Sequence, residues 1–219
     1  MEKKCDGKSY KYDTQICRNG TILEKCGGEG YDPAKEYCSD GIITAAYGYM
    51  TDAGGKAYRT TKIGEQIWMA ENMNYGLKGS KCHEDKWANC EKYGRLYDWA
   101  LAKKACPKGW HLPKRDEFET LVNTAGGTAL KSMDGSWREY CTDDGETCFI
   151  GSGTDKSGFS ALPGSMDGSA LSGETGYWWS ASDSGSEADV MAITNFVEQE
   201  PHYSSYSKNS LISVRCIQD

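Results

Sequence analysis

The chain contains no apolar run of about 18 residues, the length a membrane-crossing helix requires, and no block of basic residues. Its 25 Lys and Arg stand against 32 Asp and Glu, a net charge of −7. The first absence excludes a spanning helix and membrane insertion, and the second argues against nucleic acid and anionic membrane surfaces as partners. Histidine is scarce: His83, His111 and His202 are the three present, and none lies in a G-x-S-x-G or H-E-x-x-H setting. There are 4 Phe against 14 Tyr and 7 Trp, so the aromatic content is weighted toward rings with a polar handle, which suit hydrogen-bonded cores and wet surfaces alike. An apolar leader is also missing, because Met1-Glu2-Lys3-Lys4 runs directly into Cys5, and no signal peptide is read in this chain.

Cysteine is abundant. Ten in 219 residues is a high, even count, and such cysteines persist as disulfides in oxidising compartments. The chain therefore reads as secreted or displayed at a cell surface. Cys5, Gly7, Tyr10, Cys17, Gly20 and Ile22 recur 21 positions later as Cys26, Gly28, Tyr31, Cys38, Gly41 and Ile43, a tandem repeat. Each copy has a tight-turn pair after its second cysteine, Asn19-Gly20 or Asp40-Gly41, and each is too small to bury a core. Disulfides Cys5 to Cys17 and Cys26 to Cys38 would compensate, whereas cysteines this far apart without nearby histidine lack the usual zinc spacing. Residues 1–46 are read as the two repeats, 47–55 as a linker and 56–219 as the main domain.

In that domain, Ala57 to Ile63 and Gln66 to Met69 alternate around Gly64 and predict a hairpin. Tyr93, Leu96, Tyr97 and Ala100 fall on one helical face, and Pro107 and Gly109 stop that helix. A second helix starts after Pro113, with Asp116 and Glu117 in its first turn, and ends at Gly126-Gly127. From 128 to 176 the chain is rich in Gly, Ser, Asp and Thr, a long irregular region of the kind that carries function or is disordered. Cys141 with Cys148 can clip one excursion there, and Cys82 with Cys90 an earlier one. Strands return at 177–182, 189–197 and 211–217. Helices early and strands late imply an α+β domain with an antiparallel sheet.

Ala105-Cys106-Pro107-Lys108-Gly109-Trp110-His111-Leu112-Pro113, taken with Ser213-Val214-Arg215-Cys216, places two cysteines 110 residues apart. A Cys106 to Cys216 disulfide would tie a C-terminal strand to an early helix. Together with Trp68-Met69-Ala70-Glu71-Asn72-Met73-Asn74-Tyr75, Tyr93-Gly94-Arg95-Leu96-Tyr97-Asp98-Trp99 and Tyr177-Trp178-Trp179-Ser180, these segments resemble the successive motifs of the Fibrobacter succinogenes major paralogous domain. The resemblance covers about residues 56–219. It implies a C-type-lectin-like fold of the sulfatase-modifying-factor branch: two helices, small twisted antiparallel sheets and long loops on one side.

The resemblance also brings an enzymatic alternative. Formylglycine-generating enzymes of that superfamily bind copper through a cysteine pair near the C-terminal strand, as soft thiolates suit. This chain has Cys216, but Leu211 stands five positions upstream, so the pair is absent and that chemistry is disfavoured. His111 reads as a hydrogen-bonded structural histidine. Calcium has candidates in Asp143, Asp144 and Glu146, hard ligands without an EF-hand spacing, and a solvated acidic loop with no cofactor is the expectation. The Glu-Pro-Asn and Trp-Asn-Asp motifs of sugar-binding C-type lectins are missing; Glu200-Pro201-His202 echoes only part of the first.

The expected function is a non-catalytic binding module that recognises glycan or another surface ligand through aromatic-rich loops. Trp137, Tyr140, Trp178, Tyr203 and Tyr206 supply candidate rings, and Asn195, Glu198, Glu200 and His202 candidate polar partners, because sugars stack C–H faces on rings and give hydroxyls to amides and carboxylates. Alternation sets Trp178 opposite Trp179 on its strand. Trp179 is read as core, and Trp178 as core or ligand contact. A structural or adhesive domain binding a surface protein through the same loops is the alternative.

Overall fold

The computed structural model describes residues 4–11, 13–19, 21–31, 36–39, 41–45, 48–141, 147–196 and 200–219, with the backbone alone for 36–39 and 42–45. The chain divides into two compact units, residues 1–48 and 49–219. The first contains β1 (Lys4–Cys5), β2 (Lys8–Ser9), β3 (Gln15–Arg18), β4 (Thr21–Cys26), β5 (Glu29–Tyr31), β6 (Glu36–Ser39) and β7 (Ile42–Ala45). The repeat is visible as structure: the β3–β4 hairpin pairs Gln15 with Glu24, and the β6–β7 hairpin pairs Glu36 with Ala45, the same register one repeat later. Asn19 takes a positive φ of 50° at the first turn, a conformation that Asn tolerates better than most residues. Cys5 bonds Cys17. Cys26 is disulfide-bonded, and the side chain of its expected partner Cys38 lies outside the described residues.

The second unit mixes few helices with small sheets. Its elements are β8 (Gly48–Thr51), β9 (Ala57–Ile63), β10 (Gln66–Met69), α1 (Trp87–Tyr93), β11 (Leu96–Tyr97), α2 (Trp99–Ala105), β12 (Trp110–His111), α3 (Arg115–Ala125), α4 (Gly127–Leu130), β13 (Tyr140–Cys141), β14 (Cys148–Phe149), β15 (Thr175–Ser184), β16 (Glu187–Thr194), β17 (His202–Ser207), β18 (Ile212–Ser213) and β19 (Ile217–Gln218). One sheet runs β12-β19-β10-β9-β8, the other β11-β18-β15-β16-β17. Pairing within them is antiparallel, save the single parallel contact of β15 with β18.

Three expectations are corrected. The segment read as a linker opens as β8, the edge of the first sheet. The single helix read through Tyr93 to Ala102 is two helices with a strand between them. Gly94 breaks it with φ 79°, where a Cβ would sit 2.8 Å from Asn72 Cβ and from the Met73 carbonyl oxygen. Asp98 then restarts helix by accepting a hydrogen bond from the Leu101 N–H at 2.8 Å, an N-cap. The last strand, read as 211–217, is split into β18 and β19 around Val214-Arg215-Cys216, because these two pieces serve different sheets.

Core packing explains this arrangement. The β15–β16 sheet is covered on both faces: Trp179 and Val190 join Met69, Tyr97 and Trp99 on one side, while Trp178 and Met191 join Trp68, Phe118, Leu121 and Phe159 on the other. Helix α3 supplies Phe118 and Leu121 to the second cluster, each such burial contributing about 1.5–3 kcal/mol. Disulfides Cys106 to Cys216, Cys82 to Cys90 and Cys141 to Cys148 are formed as the sequence led us to expect. His111 is held by Asp219 at Nδ1 (2.7 Å) and Glu117 at Nε2 (2.9 Å). Burial opposes its charge, yet the hydrogen bonds to these two carboxylates outweigh that and raise its pKa.

Candidate functional site

Two of the tryptophans read as ligand contacts are core residues. Trp178 is 0 % exposed and donates through Nε1 to Asn72 Oδ1 at 2.8 Å. Trp137 is 3 % exposed and donates to the Ala161 carbonyl at 2.9 Å. Asn195 is buried too, its Nδ2 donating to the Arg138 carbonyl at 3.1 Å and its N–H to that of Glu174 at 2.8 Å. In each case a buried polar group has found a protein partner, as burial demands, and presents nothing to a ligand. Glu198, Asp143, Asp144 and Glu146 lie outside the described residues.

Strand alternation separates most of the rest. On β17, Tyr203 pairs with Met191 and packs against the Trp68 cluster, while Tyr206 pairs with Ala188 and packs against the Trp179 cluster. His202 pairs with Ala192, on the Tyr206 side by alternation. Tyr206 meets Tyr177 edge-on at 5.7 Å. The His202 Nδ1 is buried without a partner among the described residues. The predicted aromatic face is therefore two faces.

Glu200 and Tyr203 come together with residues that the sequence reading missed. Glu119, Val122 and Asn123 of α3 and Gly126 at its C-cap, with Glu200 and Pro201 just before β17 and Tyr203 within it, line an open cleft of about 590 Å³. The helix contribution has a sequence signal. Positions 119, 122, 123 and 126 are spaced i, i+3, i+4 and i+7, a single stripe, adjacent to the buried stripe of Phe118 and Leu121.

Electrostatics shape this cleft. Arg115 donates from Nε to Glu119 Oε1 at 3.0 Å, lies 3.6 Å from Asp189 Oδ2 through Nη1, and sets its guanidinium 4.8 Å from the Tyr203 ring centre, within cation–π range. Glu200 Oε2 accepts the Gly127 N–H at 3.0 Å. The Tyr203 hydroxyl is buried and has no hydrogen-bond partner among the described residues. Burial, reinforced by the charge of Glu119 and opposed by that of Arg115, pushes it up to about 12.

A second surface feature is apolar. Tyr140 packs on Phe196 at 4.3 Å and Phe149 at 6.3 Å, and Phe149, Phe196 and Ile150 are 38 %, 40 % and 75 % exposed. The short β13–β14 hairpin clipped by Cys141 to Cys148 presents Tyr140 and Phe149 there. The neighbouring group Glu139, Cys141 and Cys148 offers a cation one carboxylate, because its two sulfurs are bonded to each other. At the C-terminal strand, Cys216 is bonded to Cys106 and Leu211 offers no donor atom, so these side chains do not fit a copper-binding thiolate pair.

These features define a class: a disulfide-clasped domain of few helices and small antiparallel sheets, with an open cleft beside its longest helix. The chain belongs to the Fibrobacter succinogenes major domain family, whose model matches residues 61–218. No curated protein and no solved structure matches it.

Proposed function

We propose that this protein is a non-catalytic, extracellular binding module of C-type-lectin-like fold that recognises glycan at the cleft between α3 and β17. The observation that carries the reading is the convergence of Glu119, Asn123, Glu200 and Tyr203 in one open cleft. Carboxylates and an amide are the groups that take sugar hydroxyls. Val122, Pro201 and the Tyr203 ring supply apolar surface for C–H faces, and the volume is within the usual range for a ligand site. Disulfide density supports an oxidising location, and no described helix is long and apolar enough to cross a membrane.

Titration against a panel of soluble oligosaccharides tests this. Saturable binding that falls at least about tenfold in Glu200→Ala and Tyr203→Ala, measured on variants that still melt cooperatively, is the expected result. Absence of binding across the panel overturns it. Release of reducing ends, abolished by Glu119→Gln or Glu200→Gln, would make the two carboxylates a hydrolytic pair and overturn the non-catalytic part.

The Tyr140, Phe149, Ile150 and Phe196 surface favours a second reading, adhesion to a protein partner, since exposed apolar patches mark such contacts. Under that reading, Phe149→Ser with Phe196→Ser abolishes capture of the partner while Glu200→Ala leaves it intact.

A further inference from the structure

The cleft carries a charge imbalance that narrows the ligand. Two carboxylates, Glu119 and Glu200, line it, and Arg115 is the cation bonded to the first of them. That guanidinium is committed to Glu119 at 3.0 Å, lies near Asp189 at 3.6 Å, and stacks on the Tyr203 ring at 4.8 Å. One cation against two lining carboxylates leaves an excess of one negative charge, on Glu200, beside a cavity of about 590 Å³. Glu200 meets Gly127 through Oε2, and its other carboxylate oxygen has no protein donor among the described residues. A carboxylate without a cationic partner attracts a cation and repels an anion, which is selection by charge. A metal ion is poorly served, because Val122, Pro201 and Tyr203 form apolar wall where further hard oxygen ligands would have to stand.

A ligand that joins an ammonium group to a hydroxyl-bearing, partly apolar body matches every part of this lining. We infer that the cleft takes an amino sugar with a free amine, its ammonium toward Glu200 and its ring against Val122, Pro201 and Tyr203. The exposed Asn123 amide then meets ring hydroxyls. The inference rests on the glycan-binding reading and names its substrate class. Acidic polysaccharides are excluded as ligands of this cleft by the same charges.

Calorimetric titration of the whole chain with a glucosamine tetramer and with the N-acetylglucosamine tetramer tests it, because acetylation removes the charge and keeps the sugar. The free-amine oligomer is expected to bind at least about tenfold tighter, as a charge-assisted contact confers, and the advantage is expected to shrink as salt is raised. Glu200→Gln keeps an oxygen for the Gly127 N–H, and is expected to erase the preference without changing the melting temperature. Equal binding of both tetramers, unaffected by Glu200→Gln, overturns the amine inference and leaves glycan binding standing. No binding of any saccharide removes both. A lysine-rich peptide that displaces the glucosamine tetramer at equal concentration overturns the assignment to a sugar.

Discussion

Arg215 is completely buried and directs both Nε and Nη2 to a single atom, Asn72 Oδ1, at 3.0 and 2.6 Å. Trp178 Nε1 donates to the same oxygen at 2.8 Å, while Asn72 Nδ2 donates to the Tyr93 carbonyl at 2.9 Å. Arg215 Nη1 also donates to the Phe159 carbonyl, and its guanidinium lies 4.2 Å from the Phe159 ring. One asparagine thereby joins segments from four of the motifs that mark the family.

Asn72→Ala is expected to destabilise the domain by roughly 3–5 kcal/mol, because it removes the shared acceptor of a buried cation and strands an indole N–H. Urea unfolding followed by tryptophan fluorescence measures this. A loss below about 1 kcal/mol would show that the carbonyls of Phe159 and Ser160 suffice for Arg215.

The two disulfides of the main unit that differ most in span are expected to differ in effect. Cys106 to Cys216 spans 110 residues and Cys141 to Cys148 spans 7. Loop-closure entropy assigns about 4.7 kcal/mol to the former and about 2 to the latter. Paired Cys→Ala variants compared by urea midpoint check the order, and equal losses would contradict the entropic account.

Asp155 supplies a pH dependence. Burial pushes its carboxyl up to about 6 from 3.8, against the hydrogen bonds from the Ser160 N–H and Oγ and the attraction of Arg215. A group with a raised folded pKa contributes stability fully below its unfolded value and loses it as pH climbs through the folded one. Stability is therefore expected to fall between about pH 4 and 6 from this residue. Asp155→Asn, which preserves an acceptor for the Ser160 N–H, should flatten that slope in melts taken across the interval.

How much of this was legible in the sequence varies with the kind of residue. The 57–69 hairpin, the helix after Pro113, strands within 177–182 and 189–194 and the pairings Cys5 to Cys17, Cys82 to Cys90 and Cys141 to Cys148 follow from local pattern, and the structure has them. Trp137 and Trp178 misled because ring type is the same for a stacking platform and a core. Only the covering of β15 on both faces and the clusters around Phe159 bury them, and those are long-range facts. The cleft escaped because half of it lies on α3, where Glu119 and Asn123 read as ordinary solvent-facing positions until the entry to β17 is brought beside them.

Tyr203→Phe separates stability from binding. The hydroxyl is buried and unpartnered among the described residues, so its removal is expected to raise stability by roughly 1 kcal/mol. Because the hydroxyl is shielded from solvent and the ring is kept, the same variant is expected to leave glycan binding unchanged. Thermal melts and titration on one preparation give both numbers, and a loss of stability would mean that the hydroxyl has a partner in the folded state.

The Cys106 to Cys216 bond has a last consequence, concerning damage rather than folding energy. It closes a covalent ring that contains α3, both sides of the cleft and the long irregular segment between them. A protease that nicks an exposed loop within that ring, such as the one around Ile150, severs the chain without freeing a fragment. A domain displayed outside the cell would keep both walls of its cleft tethered after such a cut, and would come apart only when the nick is joined by reduction.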